Sequence, residues 1–383
     1  MKAITNAKLL FEDSVVWNGT LLLDGERIAA AGRVDEIEIP AGAEIIDAQG
    51  LYAAPGFIDI HNHGGPGDLF HKDAEGCAAH LLRHGVTMVL PTLYCDLDAP
   101  ELIRAAGILR GFSKSGYGRI VAGLYMEGPY MGGFGSNQQG LLWNGEIKRE
   151  DYADVIEAAA GFARVWAVDP ARPGIESFMS DVKAADPDAI FAMGHSHATA
   201  ADCRKLKKYG LRLQTHHGDS GKAKGRNQAS VGAGCDEYTL YDPDVYAEVI
   251  SDENGIHLDP DMLKTVLRIK GNERIILISD SMPDRFGCKN NEAEGVLYGP
   301  DLNYDTDGHL AGSHLTLDAA VRNMMAHTGC GICQAVRMAT ANPARLLGLD
   351  ADRGSLDPGK LADVLLIDDE ANVKKVFFRG NEV

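Results

Sequence analysis

The amino-acid sequence predicts an α/β architecture, a (β/α)8 (TIM) barrel carrying a small β-sandwich formed from both chain termini. Three observations lead there. Between about residues 55 and 350, short apolar runs alternate with stretches of helical periodicity; both ends of the chain read as period-two strands; and acidic or imidazole side chains recur at the ends of the apolar runs. A chain of 383 residues, 45% hydrophobic and 24% charged, can bury a core of barrel size and a smaller one beside it.

The first fifty residues contain AITNAKLLF, SVVWNGTLLLDG, ERIAAAG and AEIIDAQG, parted by Asp/Gly turns that favour short strands. The other end, GSLDPGKLADVLLIDDEANVKKVFFRGNEV, reads turn, strand, turn, strand. Neither piece is long enough for a core of its own. They are therefore expected to pair, giving a β-sandwich domain of residues 1–54 plus 351–383 around an inserted barrel of 55–350. Barrel strands are predicted at 56–61 (GFIDIH), 86–90 (VTMVL), 120–126 (IVAGLYM), 162–168 (FARVWAV), 189–195 (AIFAMGH), 211–216 (LRLQTH), 245–251 (VYAEVIS) and 274–280 (RIILISD). EGCAAHLLRHG, REDYADVIEAAAGF, TAADCRKLKKYG and DPDMLKTVLRIKG carry helix periodicity or Gly terminators. Eight such strands favour a barrel over a doubly wound sheet, and neither a GxGxxG after the first strand nor a GxxxxGK[ST] supports a nucleotide fold. The long polar, Gly-rich stretch from 279 onward suits a loop over the active mouth.

The 55 Asp and Glu against 37 Lys and Arg give a formal charge of −18, a mean field that repels nucleic acid and anionic membranes. A small anionic substrate is not excluded, because a few cations in a cleft outweigh the mean field. MKAITNAKLL lacks the apolar stretch of a signal peptide and no run approaches a membrane span, so a cytoplasmic location is expected. The 7 cysteines have no framework spacing and read as reduced; Cys330 and Cys333 read as a helix start with small buried residues.

In a barrel all strand ends converge on one face, so polar residues far apart in sequence share a cavity. His61 and His63, in IDIHNHGG, stand two apart and point to the same side of an extended backbone, where neutral imidazoles suit zinc or another borderline divalent ion. Glu127 in LYMEGPY enters the mouth as a carboxylate that is costly to desolvate without a cation or donors. His195 in AMGHSHATA and His216 in LQTHHGDSG complete their strands; the neighbouring His197 and His217 read first as pocket wall or supporting groups. Asp280 in IILISDS can take a proton from an attacking water and return it to a leaving amine. His257 in ENGIHLD can orient a carbonyl, and Arg226, with Lys222 and Lys224 in SGKAKGRNQ, can grip a phosphate. Each has a bland counterpart: two satisfied histidines before a turn, carboxylates capping backbone amides, a surface histidine, a solvated cationic loop. Serine-based hydrolysis lacks a GxSxG. Paired-acid glycoside hydrolysis by Glu127 and Asp280 would leave four strand-end histidines unexplained.

APGFIDIHNHGG, LYMEGPY, GHSHAT, the TH of QTHHG, GIHLD, ISDSMP, LAGSHLTLDAAVRNM, VRMATANPARLLGL and GSLDPGKLADVLLID together resemble the amidohydrolase superfamily and, within it, the N-acetylglucosamine-6-phosphate deacetylase family, over almost the whole chain. The resemblance implies a metal-dependent deacetylase acting on the N-acetyl amide of an amino-sugar phosphate, foremost N-acetylglucosamine 6-phosphate, in a homodimer. It implies that Glu127, His195 and His216 hold the principal divalent ion, zinc; that His61 and His63 hold a second with the shared Glu127; that Asp280 is the acid-base residue; and that His257 meets the substrate. Arg226 corresponds to an arginine that binds the sugar phosphate across the dimer interface, and His217 and Gly218 fall where substrate contacts are expected. The chain departs from the family where MGGFGSNQQGLLWNG replaces a lysine-rich stretch leading to Gly-Ala-His, where Gly218-Asp219 replaces Asn-Ala, and where SDSMPDRFG replaces a small-residue segment. Those departures touch substrate contacts, which leaves another N-acyl amino sugar or a cyclic amide open; a barrel that binds metal or ligand without turnover is the alternative from another class.

Overall fold

The computed structural model describes residues 1–133, 142–219, 221, 230–283, 301–304 and 309–383. The chain opens with β1 (Lys2–Leu10), β2 (Val15–Asp24), β3 (Arg27–Arg33), β4 (Glu44–Asp47) and β5 (Tyr52–Pro55). There follow β6 (Phe57–Asn62), β7 (Val86–Tyr94), β8 (Leu124–Glu127), β9 (Ala163–Val168), β10 (Ile190–Met193), β11 (Leu211–Gln214), β12 (Tyr246–Val249) and β13 (Ile275–Leu277), which pair in that order as a parallel sheet. The sheet closes where Asp280 N donates to His61 O at 2.9 Å and His63 N to Ser281 O at 2.8 Å. This is the predicted barrel. Its strands are apolar runs rather than alternating ones because a parallel sheet covered by helices is buried on both faces.

The helices form where apolar residues recur at helical spacing, some of them behind a capping side chain. Ile175–Ala185 turns Ile175, Phe178, Met179 and Val182 inward. Ala99–Phe112 starts at a capping box of Asp98 and Glu101, and Pro260–Lys270 starts at Asp259 with proline in its first turn. Cys330 and Cys333 flank the start of helix Ile332–Met338, behind Gly331, as the sequence predicts.

Both termini meet in one mixed sheet of eight strands. β16 (Val364–Ile367) pairs antiparallel with β5, and β17 (Val373–Phe378) and β18 (Asn381–Glu382) extend that edge; β1, β2 and β3 extend the other, with β4 beside β1. Ile4, Leu9, Leu21, Ile28, Leu366 and Phe377 fill a separate small core under it. In the polar stretch after the barrel, β14 (Leu302–Tyr304) and β15 (Leu310–Ser313) form a two-stranded ribbon. Ser313 N donates to Asp280 O at 2.8 Å, which anchors the ribbon beside the barrel mouth.

Two differences from the sequence expectation bear on the site. The third barrel strand begins at Leu124 rather than 120, because Gly116–Ile120 winds into a 3-10 turn; a Cβ at Gly118 would strike the Phe112 carbonyl oxygen, so glycine is needed for that close approach. The fifth, sixth and eighth strands stop at Met193, Gln214 and Leu277, short of the polar residues that were expected to end them. His195, His216 and Asp280 lie past the ladder in left-handed backbone, at φ of 46°, 27° and 47°. The pairing ends because the chain turns its side chains into the mouth, a conformation that costs on the order of 1–3 kcal/mol per non-glycine residue.

Phe178 couples the outer helices to the strand that carries Glu127. Its ring is wholly buried and meets Tyr130, Tyr152 and Trp166 edge to face, with ring centres 5.1–5.6 Å apart. Phe178→Ala is expected to lower unfolding free energy by about 3–5 kcal/mol in denaturant titration. A loss under about 1 kcal/mol would mean that the surrounding rings refill the space.

Candidate metal centre

Alternation along β6 directs Asp59 and His61, and His63 just beyond the strand, to one side; Glu127 is the last residue of β8. The left-handed turns after β10, β11 and β13 deliver His195, His216 and Asp280 to the same place. Glu127, 2% exposed, sits at the centre. Its Oε1 lies 3.0 Å from His195 Nε2 and 3.3 Å from His216 Nε2, and its Oε2 3.1 Å from His63 Nε2 and 3.4 Å from His61 Nε2. Asp280 Oδ1 faces the second pair, 3.1 Å from His63 Nε2 and 3.4 Å from His61 Nε2. One carboxylate oxygen thus serves each histidine pair, and a second carboxylate closes one of the two groups.

Burial pushes against every charge in this cluster, and the charges answer one another. Desolvation would raise Glu127, but His61, His195 and His216 hold it well below the usual carboxylate range. Burial would lower His61, yet Asp280 and Glu127 hold it well above the ordinary imidazole value. Asp280 is likewise held low against its own burial, by His61 and His63.

The donor set fits a divalent ion. The ligand atoms of His61, His63 and Glu127 lie within 4.8 Å of one another, as do those of Glu127, His195 and His216. His61 Nδ1 donates to Glu248 Oε2 at 3.1 Å, so in the neutral ring a cation would select, the lone pair is on Nε2; that buried atom makes no hydrogen bond. A nitrogen left bare beside two carboxylate oxygens is what a ligand atom looks like. Two imidazoles and a carboxylate in each group match zinc or a similar borderline ion.

The remaining predicted residues fall around this centre. His257 is buried, donates from both its backbone N–H and Nδ1 to Asp252 Oδ2 at 2.8 and 3.2 Å, and keeps Nε2 without a partner. Burial opposes its charge, while Asp252, Asp219 and Asp280 raise its pKa, which places its ring in the field of the site. His217 donates Nδ1–H to Gln214 Oε1 at 2.6 Å, and burial and then Lys270 hold it down at about 4, so it is a neutral wall residue. Gly218 is exposed with φ of 98°, and His197 is exposed. Arg226 lies outside the described residues, as do Lys222 and Lys224.

Asp59 is a brace. Its Oδ2 accepts from Ser279 Oγ at 2.6 Å and from Asn62 Nδ2 at 3.3 Å, and its burial raises its pKa to about 6. Glu248, Asp219, Asp252 and Tyr125 were missed by the sequence reading. Glu248 had a signal, a single carboxylate inside the apolar run VYAEVIS; Asp219 was noted only as a departure from the family pattern, and Asp252 sits in a polar turn where nothing marks it.

The family model that matches residues 52–383 is described as the amidohydrolase family. This chain belongs to that family. Among its relatives, the N-acetylgalactosamine-6-phosphate deacetylase of Escherichia coli O157:H7 is 32% identical over 94% of each chain, and the N-acetylglucosamine-6-phosphate deacetylase of Haemophilus influenzae is 25% identical over 94% of each. The crystal structure of N-acetylglucosamine-6-phosphate deacetylase from Pasteurella multocida superposes with a TM-score of 0.86 over 100% of this chain and 99% of that one, at 23% identity, which shows the shared fold. The amidohydrolase described here is therefore a barrel enzyme of carbon–nitrogen bond hydrolysis with a candidate metal centre. Among the described residues no helix is long and apolar enough to cross a membrane.

Because Glu127 serves both groups, Glu127→Ala should empty both, whereas His63→Ala should leave the group of Glu127, His195 and His216 able to load. Metal content after reconstitution and gel filtration checks this. A Glu127→Ala protein that retains wild-type metal content would refute the shared carboxylate.

Proposed function

We propose that this amidohydrolase deacetylates an N-acetyl amino-sugar 6-phosphate, releasing acetate and the free amino-sugar phosphate. The observation that carries the reading is Asp280 Oδ1, held 3.1–3.4 Å from the same His63 and His61 Nε2 atoms that Glu127 meets. That contact supports reading Asp280 as the acid-base carboxylate beside the candidate ligands. The identities of the relatives support the substrate class, and they include deacetylases of both the galacto and the gluco sugar.

Glu127, His195 and His216 would hold the principal ion, zinc on the chemistry of the donors, and His61 and His63 a second one with Glu127. When bound, the ion polarises the acyl carbonyl and acidifies water. Asp280, kept as a carboxylate by its imidazole neighbours, takes a proton from the attacking water as the new C–O bond forms. The C–N bond then breaks, Asp280 passes that proton to the departing amine, and acetate is left. His257 would offer its unpartnered Nε2 to the substrate while Asp252 holds the ring through Nδ1. Leu258 packs so closely on Gly218 that an added Cβ there would run into its side chain. Arg226 remains the proposed phosphate contact, and with it the homodimer.

The test is a panel of N-acetylglucosamine and N-acetylgalactosamine, each with and without the 6-phosphate, followed by amine release before and after chelation. Activity is expected on a 6-phosphate and should vanish on chelation and return with zinc. Asp280→Asn should lower kcat by about 10²–10⁴-fold while metal content stays at the wild-type level. Equal turnover with and without the phosphate would overturn the substrate class, and full turnover in Asp280→Asn would overturn the role of that residue.

A further inference from the structure

Each histidine pair contains one imidazole whose remote nitrogen is met by a separate carboxylate. On the His61/His63 side this is Glu248, wholly buried on β12, whose Oε2 accepts from His61 Nδ1 at 3.1 Å. Its Oε1 has no hydrogen-bond partner, so its contacts are concentrated on Oε2, which also accepts from the His216 backbone N–H at 3.3 Å and the Tyr125 hydroxyl at 3.5 Å. Tyr125 stacks on the His61 ring with centroids 4.4 Å apart, so that ring is fixed in plane as well as in tautomer. On the His195/His216 side it is Asp219, whose Oδ1 lies 2.7 Å from His216 Nδ1 as an ion-pair contact rather than an aligned hydrogen bond, and whose side chain is 27% exposed. A carboxylate at Nδ1 keeps the proton there, leaves Nε2 as the donor atom and raises its basicity.

We propose that Glu248 and Asp219 are positioning residues that tune the two halves of the site separately: Glu248 orients His61 for the ion of His61, His63 and Glu127, and Asp219 orients His216 for the ion of Glu127, His195 and His216. This rests on the two-ion reading above. The division follows from geometry. Glu248 holds a ligand ring in one half but only a backbone amide in the other, and the His216 ring has its own carboxylate. A sealed Glu248 and a solvent-touched Asp219 also make the two halves respond to different surroundings.

The experiment titrates metal-free protein with Zn²⁺ and reads two dissociation constants, in the wild type, Glu248→Gln, Glu248→Leu and Asp219→Asn, each repeated in a His63→Ala background that retains only the half of Glu127, His195 and His216. Removing an outer carboxylate lowers affinity by about 10–100-fold. Glu248→Leu is expected to weaken one site by that amount, with Glu248→Gln in between because its oxygen still accepts from Nδ1–H. In the His63→Ala background Glu248→Gln should change nothing, whereas Asp219→Asn should weaken the remaining site. Should Glu248→Leu not fold, Glu248→Gln decides the case through the same contrast. Equal losses at both sites, or none, would overturn the division. A wild-type protein that binds a single ion would overturn the two-ion reading itself, and with it the role of Glu248.

Discussion

A buried carboxylate at the centre of four imidazoles sets the terms for the rest of this structure. Taking an ion of that kind out of water costs several kcal/mol even after relaxation, and the cost is met only when opposite charge or donors arrive with good geometry. Glu127 receives them from β6 and from the turns after β10 and β11. The barrel is what makes this assembly cheap, since parallel strands in sequence order bring every strand end to one rim. Without a divalent cation, protons on His61 and His216 supply the balancing charge, and both rings are held well above their ordinary pKa. Metal and protons therefore compete for the same nitrogen atoms.

Much of this was legible in the sequence, for a physical reason. A parallel strand buried on both faces reads as an unbroken apolar run, so a His, Glu or Asp at its end stands out, as at Glu127, His195 and Asp280. The terminal sheet was legible because period-two strands with no room for a core must find partners elsewhere, and β5 finds β16. The left-handed turns at His195, His216 and Asp280 were not legible, because no glycine or asparagine announces them. Glu248 was passed over as one polar residue in an apolar strand, since its role depends on His61 lying next to it across the barrel interior. Asp219 and Asp252 resemble any turn residue until the fold brings a histidine nitrogen to each.

Strain and support are paired at the rim. Three of the site residues hold backbone conformations that a non-glycine side chain avoids, and Asp280 and His216 are each held by several neighbours. Asp280 is pinned between His61 O and Ser313 N, and His216 has Glu248 on its backbone N–H and Asp219 beside its ring. A rim with so many fixed points presents its side chains ready-placed, which is the condition under which electrostatic stabilisation costs no reorganisation during a reaction.

The same backbone bond that closes the ring of strands, Asp280 N to His61 O, also joins the proposed acid-base carboxylate to the first of the candidate ligand histidines. These two residues come from opposite ends of the barrel sequence, and contacts of such separation form against the largest loop-closure entropy. A chain whose first and last barrel strands have not met holds fragments of the centre but no working constellation. Assembly of the whole candidate centre is therefore tied to closure of the barrel.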